Sequence, residues 1–211
     1  LRAMQAARQR FETFLLVGER LDLAEGVAVD VRQPNWTDHL SALVSEGKLT
    51  AHGPTGADYF GFVRGMWADL PPVFMGRAMC DQALLHYCLR KRLPLIDGTL
   101  AVVNVHQYHG YSHVAGGREQ VFRGNDREDM AKAHGLWHSL PTVADAGWRI
   151  IRDGTLEPDR IRRSLLRRVE LGARYKLGLD MVANVLRGMQ YLSGKAGVIP
   201  RSFAIGKFIE D

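Results

Sequence analysis

Three of the chain's eight histidines fall in one octapeptide, HQYHGYSH at 106–113. Neutral imidazole is a common ligand for divalent ions, and three within eight residues can share one ion. His106, His109 and His113 are therefore candidate metal ligands. The stretch lacks the helical H-E-x-x-H context of a zinc protease, so hydrolysis at a metal is a distant third among the readings. The competing reading is a solvated loop whose imidazoles bond to backbone. Function gathers on loops carried by a rigid scaffold, and His106 is better placed than the other two because an expected strand ends there.

Two carboxylates and a basic run add to this. In GRAMCDQALL, 76–85, a glycine permits a tight turn before a helix, and Asp81 falls in that helix's first turn with Arg77 just ahead of it. A carboxylate there is stabilised by the helix N-terminus and can serve as a base if it faces a cleft. Equally, Asp81 can simply favour the helix start. Asp58 stands in an aromatic stretch, DYF, that suits a sugar or base pocket or a core with one exposed acid. Arg160, Arg162, Arg163, Arg167, Arg168 and Arg174 accompany an apolar stripe of Ile161, Leu165, Leu166 and Val169. Such a helix suits an anionic membrane, nucleic acid, or a solvated face packed on the domain.

These residues need a scaffold. FLLVG, 14–18, reads as a buried strand, and residues 1–13 as a helix. Residues 36–46 have helical spacing, with Thr37 or Asn35 as a cap. Residues 58–67 begin like a strand, and a helix runs from about 78 to a basic end at Arg90–Arg92. LPLID and TLAVVNVH supply strand material. Residues 106–127 are polar and aperiodic, a long loop for a compact domain. From about 155 the chain reads as continuous helix. The expected class is α/β, with an α/β part over 1–154 and a helical extension over 155–211.

Composition is that of a globular protein, 46% hydrophobic and 24% charged, with net charge +5. The positive excess suits phosphorylated ligands, nucleic acid or an anionic surface. Cys80 and Cys88 are too far apart along one helix to bridge, so a reducing, cytoplasmic compartment is expected. No apolar run reaches the roughly 20 residues that span a bilayer. Leu1 rather than Met opens the sequence, as expected of a segment of a longer chain.

Taken in order, FLLVGERLDL, DYFGFVRGMW, LPPVFMGRAMCDQALL and PLIDGTLAVVNVHQYHGYSHVAGG resemble bacterial GT-A-type glycosyltransferases of the nucleotide-diphospho-sugar transferase superfamily. The resemblance covers roughly residues 11–127. It implies a partial GT-A-like, Rossmann-like domain: the acceptor-side, C-terminal half, because no Asp-x-Asp precedes FLLVG. It further implies that Asp81 is the general base and that Asp58 lies on the acceptor side. Arg20 and Arg77 would pair with phosphate oxygens, and Tyr111 would contact substrate. A late histidine among His106, His109 and His113 would complete the shell of a Mn²⁺ or Mg²⁺ ion. The implied partners are a nucleotide-sugar donor and a saccharide or lipid-linked acceptor, the latter reached at the inner membrane face by the arginine-rich tail. The second half of the tail is then expected to pack on the α/β part or on a partner chain. The rival expectation is a non-catalytic binding module whose basic tail docks on nucleic acid, the less favoured partner, or on an anionic membrane.

Overall fold

The computed structural model describes residues 2–136, 140–159 and 163–192; the side chains of His113, Tyr191 and Leu192 lie outside that description. The chain is mixed α/β. In order it forms α1 (Arg2–Arg10), β1 (Leu15–Val17), β2 (Leu21–Leu23), α2 (Trp36–Ser45), β3 (Leu49–Ala51), β4 (Phe60–Phe62), α3 (Cys80–Arg90), β5 (Leu95–Asp97) and β6 (Val105–His106). There follow α4 (Gly117–Arg123), α5 (Asn125–His134), β7 (Trp148–Ile150), β8 (Leu156–Pro158), α6 (Leu165–Leu171) and α7 (Asp180–Leu192).

A five-stranded sheet has the order β4-β1-β5-β7-β8. Its three central strands are parallel, and both edges are antiparallel. β1 is buried at all three positions, as a central strand covered on both faces must be. Its alternation assigns those faces. Leu15 and Val17 pack with Leu84, Leu85 and Cys88 of α3, while Leu16 packs with Ile96, Ile150 and Ala3 and Ala7 of α1. A second sheet, β3-β2-β6, stands on a separate core of Leu21, Leu23, Leu40, Leu43 and Leu49.

The ends of β1 and β5 are clasped. The Asp97 carboxylate accepts from the Thr99 amide at 2.9 Å and hydroxyl at 2.5 Å, and the Thr99 hydroxyl accepts from the Glu19 amide at 2.9 Å. All three residues are buried. Glycine is required beside this clasp: a Cβ at Gly18 would lie 2.3 Å from the Tyr59 hydroxyl oxygen. The IDGT motif thus serves to join two strand ends.

The expected long loop contains ordered elements. After a 3₁₀ turn at Tyr111–His113 the chain forms α4, and after Gly124 it forms α5. The two glycines that open α4, Gly116 and Gly117, have positive φ and hide the helix from a propensity reading.

The sheet runs on to Pro158, past the expected boundary at 154, because β8 pairs with β7. The extension is not one helix. α6 and α7 are separated by a π-helical turn at Gly172–Lys176 and a reversal at Gly178, whose φ is +69°. The expected outward arginine face is turned inward in part, with Arg168 left exposed. Arg160 and Arg162 lie outside the described residues. Arg167 is buried, donating from Nε and Nη2 to Asp145 at 2.9 and 2.6 Å and from Nη1 to Glu170 at 2.6 Å. Burial opposes its charge, and the two carboxylates more than offset that, raising its pKa. Arg163 donates to the Asp159 carbonyl, and Arg174 to Asp180 and Asn184. The second half of the tail, expected to pack on the α/β part or on a partner chain, turns Ala183 and Gln190 inward against α6 and exposes Met181, Val182, Val185 and Met189. Among the described residues no helix is long and apolar enough to cross a membrane.

Candidate functional site

The carboxyl ends of parallel strands are where α/β folds place their sites. Four segments converge there. β1 leads directly through Gly18 and Glu19 to Arg20. β4 runs antiparallel to β1, with Phe60 opposite Val17, so Asp58 just before it lies at the same edge. α3 feeds β5, which puts its N-terminus, with Asp81, at that edge too. β6 pairs in parallel with β2, setting His106 opposite Asp22.

Between them is a cleft of about 500 Å³. Asp81, Asp58, Arg77, Arg20, Tyr111, His106 and His109 all line it. Every candidate whose side chain is described therefore faces one space. The His113 side chain lies outside the described residues.

A charged chain runs along one wall. Asp58 accepts from Arg20 Nη1 at 2.8 Å through Oδ1, and from His106 Nδ1 at 2.5 Å through Oδ2. Arg20 Nε also approaches Asp22 Oδ1 at 2.8 Å, as an ion pair without good hydrogen-bond alignment. Asp22 Oδ2 in turn accepts from His52 Nδ1 at 2.6 Å. A carboxylate only accepts, so His106 carries a proton on Nδ1, while His52 Nδ1 stands between Asp22 and, at 3.3 Å, the donor Arg20 Nη2. Burial works against the Arg20 charge, but Asp58 and Asp22 together raise its pKa. Arg20 thus holds two carboxylates, and the expected pairing with phosphate oxygens would compete with them.

Asp81 sits across the cleft. Burial, the largest influence, raises its pKa, and the charge of Asp58 adds to this. Amides of Gln82, Asp81 and Ala57 pull the other way, that of Gln82 donating to Oδ1 at 3.0 Å. Asp81 thus sits in the first turn of α3 and lines a cleft, with a proton affinity above an ordinary aspartate's. The residue that caps α3, Met79, has φ +76°. A left-handed non-glycine residue stores strain of order 1–3 kcal/mol, and such residues cluster at functional sites. Burial and then Asp81 push the neighbouring Cys80 thiol up, which disfavours a thiolate there.

Arg77 bonds Asp126 of α5 at 2.7 Å, tying the α4–α5 region to the cleft mouth. His106, His109, Tyr111 and Phe122 form an aromatic ladder with ring centroids 5.1, 5.3 and 5.5 Å apart in turn. Among the described residues no group of three or more His, Cys, Asp or Glu could hold a metal ion. His106 is oriented by Asp58, and its ring packs against His109 at an interplanar angle of 55°. The described residues thus do not fit the expected ion.

Asp22 and His52 were absent from the sequence candidates. The Arg20–Asp22 spacing, two residues apart into a strand and so on one face, was the available signal. His52 joins them only through the pairing of β2 with β3. Comparison with protein-family models, with curated proteins and with solved structures finds no match.

Proposed function

We propose that this chain is the acceptor-side part of a GT-A-type glycosyltransferase, and that Asp81 is its general base. The observation that carries the reading is the convergence of seven chemistry-bearing side chains on one cleft, with Asp81 buried enough to hold a raised pKa. An acceptor hydroxyl in the cleft gives its proton to the Asp81 carboxylate as its oxygen attacks the anomeric carbon of a nucleotide sugar, and the nucleoside diphosphate departs. Asp58, fixed by Arg20 and His106, is placed to accept from another acceptor hydroxyl. Tyr111 and His109 offer ring faces to a sugar.

The test uses the whole gene product that contains this chain, with a panel of nucleotide sugars and saccharide or lipid-linked acceptors. Asp81→Asn keeps the shape and removes the base, so turnover should fall by ~10²–10⁴-fold with unchanged far-UV circular dichroism. Stability should move the other way. The folded pKa of Asp81 lies above its unfolded value, so its ionised form weakens the fold as pH rises past that value. Asp81→Asn should therefore raise Tm at neutral pH. Turnover at the wild-type rate would reduce Asp81 to a helix-start residue.

A further inference from the structure

The α6–α7 hairpin is turned inside out. A helix on a globular domain normally buries its apolar stripe and exposes its charges. Here α7 exposes Met181, at 81%, with Val182, Val185 and Met189, while its Ala183 and Gln190 point inward. Gln190 donates to the buried Glu170 at 3.2 Å. α6 repeats the inversion, with Leu165 and Val169 exposed and Arg167 buried, and Leu177 and Leu179 continue the strip through the connection. Half of the exposed large hydrophobic side chains among the described residues lie on this one hairpin. A contiguous apolar patch of this kind marks a surface built to be covered.

Beside the strip opens a cavity of about 830 Å³. Leu165 and Val169 belong to both. The cavity is also lined by four cations, Arg92, Arg163, Arg168 and Lys176, and by a single carboxylate, Asp145, which is spent on Arg167. Asp180, at the strip's edge, is 3.1 Å from Arg174. Among the described residues the face thus combines exposed aliphatic side chains with a surplus of positive charge, its carboxylates Asp145 and Asp180 each paired with an arginine.

We propose that this hairpin is a monotopic membrane foot. It lies in the plane of an anionic bilayer, its strip of Met, Val and Leu side chains at the boundary of headgroups and acyl chains. A phospholipid phosphate occupies the cavity among the four cations. α7 has 13 residues, about 20 Å of helix, so it lies on the roughly 30 Å hydrocarbon core and does not span it. The charge selects this occupant over a second copy of the chain. A symmetric pair would set the same cations near one another, with no unpaired acid among the described residues of the face to meet them. A basic rim around an apolar strip is the pattern that anionic lipid surfaces recognise. The proposal stands independently of what the cleft does.

The full chain is sedimented with vesicles of phosphatidylcholine alone and of phosphatidylcholine with phosphatidylglycerol, at low and high salt. Recovery with the anionic vesicles should exceed that with neutral ones by about tenfold, and high salt should reduce it. Val185→Glu with Met189→Glu changes only exposed positions and should lower anionic recovery by about tenfold. Arg168→Glu with Lys176→Glu should abolish the preference for anionic lipid. Circular dichroism of each variant checks the fold. Equal recovery with both vesicle types, or anionic binding unaltered by the Val185 and Met189 changes, overturns the proposal. So does a concentration-dependent dimer that those changes dissolve without any vesicle binding, since the face then belongs to a second copy. Binding seen only after residues 193–211 are removed assigns the face to the chain's own C-terminal residues, and overturns it equally.

Discussion

Replacing Arg167 by Met removes the cation that Asp145 and Glu170 share inside the protein. Both carboxylates are fully buried, and the Arg167 side chain is 4% exposed. Without it, Asp145 keeps the Thr142 amide at 2.9 Å. Glu170 keeps the Gln190 amide, and Arg187 at 3.6 Å. Those groups leave a buried charge largely unpaired. Breaking such a pair from one side costs about 3–5 kcal/mol, a sizeable part of the ~5–15 kcal/mol by which a domain is stable. A 4 kcal/mol loss is a factor of ~10³ in the folding equilibrium. Urea unfolding followed by tryptophan fluorescence measures it, because Trp148 opens β7 three residues after Asp145. An unchanged denaturant slope assigns the loss to the whole domain, and a smaller slope means that α6 and α7 detach first. Replacing Asp145, Arg167 and Glu170 together with apolar residues of similar volume should be nearly neutral, because no charge is then left buried. A loss below about 1 kcal/mol for Arg167→Met would refute the reasoning, since that is the yield of a water-exposed pair.

His86 supplies a pH dependence. Burial, and then the charges of Arg90, His134 and Arg174, lower its pKa to about 4. The unfolded chain, at the ordinary value near 6.5, binds the proton more readily. The stability this represents is full above that value and is lost as pH falls toward 4, by up to about 3 kcal/mol. His86→Gln, which can still bond the Tyr175 hydroxyl, should flatten the Tm profile across that window, and an unchanged profile would place the titration elsewhere. At the strand clasp, Gly18→Ala should cost about 1–3 kcal/mol in urea midpoint experiments, because its Cβ meets the Tyr59 hydroxyl. Adding Tyr59→Phe removes the clashing oxygen and should recover part of that loss; no recovery would locate the strain in the backbone instead.

The cleft was legible because its residues announce their chemistry by type. Asp81, Asp58, the arginines and the described histidines needed only a fold that brings strand ends and one helix start together. What was illegible depended on partners far along the chain. Arg167 reads as a surface cation until Asp145, 22 residues earlier, is seen bonded to it. His52 reads as a loop residue until β3 lies against β2. The helices after the histidine loop were missed because one opens with two glycines and the other, NDREDMAKAH, has little apolar periodicity. The buried strands and α3 were visible because local pattern and final environment agree there.

The clasp at the strand ends has a temporal side. Glu19 and Thr99, which it joins, are 80 residues apart in the chain. At ~5–20 residues per second of synthesis, β1 leaves the ribosome about 4–16 s before β5 leaves it to pair with it. Through that interval Leu15, Leu16 and Val17 form an apolar strand with open edges, the kind of segment that associates with other nascent chains. β4 arrives sooner and can shield one edge, but the edge that later receives β5 waits. Expression at lower temperature or with added chaperone should therefore favour the recovery of native protein, for a reason that lies in the order of synthesis and not in the strength of the finished fold.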